Sequence, residues 1–477
     1  MEKSLQGETS MAREAKKQAA KPVAHPFVAM LGMLIGGFVG MLSETSLNIA
    51  LPSLMTALHV NIGTIQWLVT GYMLVIGIVL PLSSLLSKLF STRQIIIFAI
   101  VAFMVGAIIS ALASSFPILL VGRMIQGVGT GLILPLMFTV ATLIFPPYKL
   151  GAAMGLIGLV IMFAPAIGPT LSGMILGLMS WQWIFWMFVP FLAIALILVI
   201  KYLPNVGNIS KPKIDIFSII LSTLGFGGLV TGVSLASDQG WGSPSVIVTL
   251  VAAFILLAWY IKRQLASAEP ILNFHIFKNR QYTTGAVLVM MDFGIILSSM
   301  YLLPMFWQNG LAIPVALTGI VMLPGGIVNA LVSAIAGRYS DIVSKRLLTV
   351  TGFAITIVGI VMLLFAQATS PMWYVILAHI VMMMGVPLAM SSAQTYGLSA
   401  LDQRTSSDGS TIMNTFQQIV GAIATAIATA LLGVGQQASS ASHQVAFTSG
   451  VHLGLVFTLI LAIAALCLAF TVKEKRA

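Results

Sequence analysis

Hydrophobic and polar positions alternate along this chain on one long period. Apolar runs of about 19 residues or more, each long enough to span a bilayer, are separated by short polar punctuation. They fall at 27–51, 63–86, 94–114, 117–144, 150–178, 183–203, 215–236, 245–262, 282–308, 315–337, 347–366, 372–396, 409–434 and 451–472, which predicts fourteen membrane helices. The runs are continuous and not alternating segments of about 10 residues, so a closed β-barrel is excluded. The fold class is an all-α polytopic membrane protein. No connecting segment is long enough for a sizeable domain outside the membrane.

Composition agrees. Charged residues make up 7% of the 477 positions and hydrophobic ones 58%, against roughly 25% charged in a soluble protein. A net charge of +11 raises the question of nucleic acid, but the basic residues lie in short scattered clusters that the positive-inside rule explains better. With the N-terminus in the cytoplasm and fourteen crossings, 22 of the 23 Lys and Arg residues fall on cytoplasmic ends. Arg123 alone falls inside a span. The single cysteine, Cys467, permits no intrachain disulfide. Residues 1–26 read as a polar cytoplasmic tail and 473–477 as a second one.

The spans divide into 27–203, a basic linker with two extra spans and an amphipathic connector (204–281), and 282–472. Six plus six helices around a central cavity is the architecture of rocker-type transporters. Within the first span Gly32, Gly36 and Gly40 form a small-residue face for close helix packing.

Three ionisable residues lie where charge is costly. Glu44 sits in an otherwise uncharged span, and such acids are proton or cation sites by default; a structural hydrogen-bonding role is the alternative. Arg123 lies in GRMIQGVG at about the depth of Glu44, roughly 10 Å inside the outer surface at 1.5 Å per residue. Equal depth permits pairing; snorkelling or carbonyl binding is the alternative. Asp292 lies near mid-depth of the ninth span, as a second proton site or a structural acid. His379 reads as a packed polar residue. The fifth span carries Gly155, Pro165, Gly168, Pro169 and Gly173, a bent small-residue face suited to a seal between the two bundles. Methionine-rich walls suit promiscuous binding. Nothing resembles HExxH, GxSxG or a His/Asp cluster, which argues against an enzyme.

Four segments carry a family resemblance: ETSLNIALP (44–52), GRMIQGVG (122–129), Gly155 to Gly173, and WQWIFWMFVP (181–190). Together with the two-span insert and EPILNFHIF, they resemble the fourteen-helix drug:proton antiporters of the major facilitator superfamily, EmrB/QacA branch. The resemblance covers nearly the whole chain. Ala164 and Ser172 replace glycines in the fifth-span motif. Gln182 and Phe188 stand where Arg and Asn are common, Lys88 near a usual acid, and Gln417 where relatives often have Arg. GRYSDIVSKR keeps Asp341 and Arg346 of a cytoplasmic latch. The resemblance implies a multidrug efflux antiporter in a bacterial cell membrane, with both termini cytoplasmic. Glu44, Arg123 and Asp292 would couple protons, and Asn48, Trp67, Tyr72, Gln126, Met290, Phe293 and Trp307 are candidates to meet substrate. Its partners would be protons, lipid and lipophilic or cationic drugs, with no cofactor and no nucleic acid, and it would work as a monomer driven by the proton gradient. An exporter of one endogenous metabolite or lipid is the alternative.

Overall fold

The computed structural model describes residues 26–145, 147–206, 215–267, 270–339, 343–401, 403–438 and 442–472. Every regular element among them is a helix. In chain order the α-helices are α1 (Pro26–Ser46), α2 (Leu51–Leu58), α3 (Ile62–Leu89), α4 (Thr92–Ala111), α5 (Phe116–Ile144), α6 (Pro147–Leu178), α7 (Gln182–Trp186) and α8 (Phe188–Tyr202). Then follow α9 (Ile216–Gln239), α10 (Pro244–Ala266), α11 (Arg280–Met305), α12 (Val315–Tyr339), α13 (Lys345–Leu364), α14 (Met372–Leu398), α15 (Gln403–Gln437) and α16 (His443–Ala469).

Thirteen helices among the described residues are long and apolar enough to cross a membrane, one fewer than the sequence predicts. The difference lies in the fifth predicted span. It is helical throughout α6, but its apolar described stretch, Phe163–Leu178, is shorter than a full span. The predicted first span also ends early. After Ser46 the chain tightens into a 3-10 turn, Leu47–Ile49, and restarts as α2 with Pro52 in its first turn, a position where the missing N–H costs nothing. Glu44 therefore lies just before a break. The sixth span is likewise broken, into α7 and α8.

Two groups of helices pack internally. One comprises α1, α3, α4, α5, α6 and α8; the other comprises α11 to α16. The small-residue face of α1 is used as expected. A Cβ on Gly32 would stand 2.7 Å from the Ala195 carbonyl of α8, and one on Gly40 would stand 2.8 Å from the Thr130 hydroxyl of α5.

The groups meet along two seams, α6 against α12 and α3 against α15. The inserted helix α9 lies on the second seam and touches both α3 and α15. Phe226 of α9 packs on Phe416 of α15 at 5.7 Å between ring centroids, and Phe277 and Phe274 of the connector pack on the same ring at 6.1 and 6.3 Å. At the base of the inserted pair, Arg263 donates to Asp215 at 3.0 Å, and this bridge holds the Asp215 carboxyl at about 2, below its usual range.

Candidate functional site

Proline chemistry shapes the site. Pro169 in α6 has no N–H to give the carbonyl four residues back, that of Pro165. The orphaned Pro165 oxygen instead accepts a hydrogen bond from the Thr45 hydroxyl of α1 at 2.8 Å. One turn on, Gly168 brings α6 against α1 so closely that a Cβ would lie 2.4 Å from the Thr45 hydroxyl and 2.9 Å from the Leu42 carbonyl. α6 is thus bonded to the residue next to Glu44.

This contact borders a cavity with about 710 Å3 of atom-free space, part of it open to the outside. From the first group of helices it takes Met41, Glu44 and Thr45 (α1) with Ile161 and Pro165 (α6). The second group supplies Phe293, Ile296, Leu297 and Met300 (α11), Met322, Gly326 and Asn329 (α12), and His379, Met383 and Met390 (α14). Five methionines give the wall its adaptability, since an unbranched thioether side chain fits many ligand shapes.

Glu44 is buried and both carboxylate oxygens lack a hydrogen-bond partner. Gln418 of α15 faces the carboxylate without closing a well-formed hydrogen bond to it. Sequence comparison within the motif singled out Gln417; packing puts its neighbour on the acid.

Arg123 does not pair directly with Glu44. Its Nε donates to the Leu68 carbonyl at 3.1 Å, its Nη1 to the Ser43 hydroxyl at 2.7 Å and Gln126 Oε1 at 3.1 Å, and its Nη2 to the Ser43 carbonyl at 3.3 Å. The guanidinium carbon lies 4.0 Å over the Tyr72 ring. Among the described residues the ion pair present is Arg263 with Asp215. The alternative of carbonyl binding therefore describes Arg123, because a five-donor fork meets the carbonyls and hydroxyls of α1, α3 and α5 before it reaches the carboxylate.

This network predicts a stability effect. Replacing Arg123 with Lys removes the planar fork and strands buried acceptors. We expect a loss of about 3 kcal/mol, read as a lower melting temperature in detergent. An unchanged melting temperature contradicts the network.

The remaining candidates divide. Phe293 lines the cavity, as expected. Tyr72 and Gln126 belong to the Arg123 network; the Tyr72 hydroxyl bonds the Gly40 carbonyl at 2.9 Å and the Thr130 hydroxyl at 2.7 Å. Asn48 is buried in the 3-10 turn with an unpartnered Oδ1. Trp67, Met290 and Trp307 are not among the cavity-lining residues; Trp307 is fully buried and packs edge-on to His379 at 5.4 Å. Asp292 is buried, its oxygens unpartnered, on α11 beside Phe293 but off the cavity wall. Arg346 is exposed, while Asp341 and the surroundings of Gly155 lie outside the described residues.

Gly173 sits at the α6–α12 seam. A Cβ there would lie 2.9 Å from the Gly319 Cα, and one on Gly177 2.4 Å from the Ala316 Cβ. Thr170 donates to the Gly319 carbonyl at 2.9 Å, and Gln308 reaches the Ile49 carbonyl at 2.9 Å. At this end α6 and α12 are in backbone contact.

Most lining residues, Thr45 among them, escaped the sequence reading. Thr45 was legible in principle, through the carbonyl that Pro169 frees. His379 is buried and packed as expected, and it also lies on the cavity wall with both ring nitrogens unpartnered.

Known proteins are similar along nearly the full length. The family model of the Major Facilitator Superfamily matches residues 33–425. The lincomycin resistance protein LmrB of Bacillus subtilis is 46% identical over 456 residues, covering 93% of this chain and 95% of the relative. That of Listeria monocytogenes is 44% identical over 459 residues, 94% of this chain and 98% of the relative. Among solved structures, a D-xylose-proton symporter aligns with a TM-score of 0.68 at 13% identity, over 94% of this chain and 98% of that one. The xylose transporter XylE from E. coli, in a partially occluded inward-open conformation, aligns with a TM-score of 0.64 at 14% identity, over 95% and 100%. At such identities these two likenesses concern the fold alone.

Proposed function

This chain belongs to the Major Facilitator Superfamily, and from that premise we propose that it is a proton-coupled efflux antiporter exporting lipophilic, cationic drugs by alternating access. One observation carries the reading: an unpartnered carboxylate, Glu44, on the wall of a methionine-rich cavity built by both helix groups. An uncompensated buried acid favours its neutral form, and a cation in the cavity favours the ionised one. The two therefore compete for Glu44. The names of the relatives, both lincomycin resistance proteins, support a drug as cargo.

The cycle runs between the two seams. Drug enters from the cytoplasm or the inner leaflet, the closed α6–α12 end opens outward, external protons displace the drug, and the protonated carrier returns. We place both termini in the cytoplasm, the α6–α12 end outside, and the protein as a monomer in a bacterial cell membrane. It needs no cofactor beyond the proton gradient. In this reading 27–203 and 282–472 rock against each other, with 204–281 on the α3–α15 side. Asp292 serves as a second proton site. One proton for one monovalent cation is electroneutral, so a second acid adds the membrane potential, about 2.3 kcal/mol per charge per 100 mV.

The test is exchange in liposomes. With purified protein, an imposed pH gradient is expected to drive lincomycin against its concentration, and collapsing the gradient to stop it. Transport indifferent to the gradient, or a substrate panel in which one endogenous metabolite alone moves, overturns the reading.

A further inference from the structure

Four polar side chains lie on the cavity wall: Glu44, Thr45, Asn329 and His379. Two of them are already engaged. Thr45 donates to the Pro165 carbonyl at 2.8 Å, and the Asn329 amide points at the Met383 sulfur at 3.6 Å. Glu44 and His379 are the two with no hydrogen-bond partner, and they come from opposite helix groups, α1 and α14.

The histidine is held in place by construction. Gly325 of α12 makes room for it, since a Cβ there would stand 2.4 Å from its Nδ1. Trp307 backs the ring edge-on at an interplanar angle of 80°. An imidazole buried without partners costs stability, yet the fold presses a glycine and a tryptophan around this one and leaves its ring on the cavity wall. A neutral imidazole offers both a donor and an acceptor.

We infer that His379 is a specificity residue of the cavity, and that the cargo is two-ended: a cationic group at Glu44, an apolar body along the methionines, and a hydroxyl or similar hydrogen-bonding group at His379. This rests on the proposed reading of the cavity as the substrate site. A site that hydrogen-bonds a ligand hydroxyl disfavours the analogue lacking it, because its own polar group then stays unpaired.

The test uses alkyltrimethylammonium ions of graded chain length, each paired with its ω-hydroxy counterpart, binding to the purified full-length protein. At the best-fitting length the hydroxylated member is expected to bind wild type about 10-fold more tightly, since one satisfied hydrogen bond is worth about that factor. His379→Phe keeps the ring volume against Trp307 and is expected to bring the ratio to about 1, with the plain alkyl ion bound as before. His379→Gln, which keeps a donor and an acceptor, restores part of the ratio. The inference falls if wild type shows no preference at any length, if His379→Phe keeps the preference, or if that variant loses both members equally, since His379 then only shapes the cavity. A wild type that binds no cation of the series removes the drug-site reading together with this one. A wild type that binds the cations without discrimination overturns this inference alone.

Discussion

Glu44→Gln is expected to abolish pH-gradient-driven drug export, with a loss of at least about 100-fold in inverted vesicles, while leaving the protein folded. Glutamine has nearly the same shape as glutamic acid but cannot release a proton. The Glu44 carboxyl makes no hydrogen bond that the substitution would break, and glutamine, like the neutral acid, buries no charge. The melting temperature is therefore expected to hold, which separates this variant from Arg123→Lys. Glu44→Asp, one methylene shorter, keeps a titratable group and is expected to keep part of the coupling. Proton-driven export at the wild-type rate in Glu44→Gln would exclude this residue from the coupling.

Gly319→Leu is expected to slow transport by about 100-fold through a different route. The Gly319 Cβ position lies 3.0 Å from the carbonyls of Pro169 and Thr170, and its Cα is itself 2.9 Å from the Cβ position of Gly173. These are backbone atoms and cannot swing aside as a long side chain does. A leucine there holds α6 and α12 apart, so the closed end cannot form. A shift of a few kcal/mol against one state is enough to empty it. In a background with Cys467→Ser, a cysteine placed at Ala316 is expected to react with thiol reagents from the α6–α12 side much faster in Gly319→Leu than in its absence. Gly227→Ala is the control, because nothing lies within 4 Å of that Cβ position. Wild-type transport by Gly319→Leu sinks the view that this crossing opens and closes.

Much of the fold was legible because a bilayer constrains sequence along the helix axis. Each span must be apolar over its length, and charge must sit at its ends. That argument locates thirteen spanning helices among the described residues, the inserted pair included, and the three buried ionisable groups by hydropathy alone. Residues 150–178 are predicted as one span and form one continuous helix, Pro147–Leu178; the argument overreaches at 47–52, where a local 3-10 turn interrupts a stretch that is apolar throughout.

The circumference of a helix is another matter. In water a helix shows its buried face as an apolar stripe; in lipid both faces are apolar, and the pattern around the axis is lost. Trp67, Tyr72, Met290 and Trp307 were reasonable candidates by depth, yet none lines the cavity, whereas Phe293, one residue from Asp292, does. His379 is packed, as the sequence suggests, and its place on the cavity wall follows only from helix rotation.

By itself, then, the sequence determined the class of molecule, the spans, the place of Glu44 and Arg123 within them, and the proline and glycine face of α6. Only the tertiary structure decided that Arg123 spends its donors on Ser43, Leu68 and Gln126 instead of Glu44, that Thr45 takes the carbonyl Pro169 frees, and that Glu44 and His379 share one cavity. Hydropathy is a property of each segment alone, while a hydrogen-bond partner depends on the rotation and approach of two helices distant in the chain. Those are set by the sum of many small close contacts, such as Gly168 on Thr45 and Gly173 on Gly319, and no single stretch of sequence contains them.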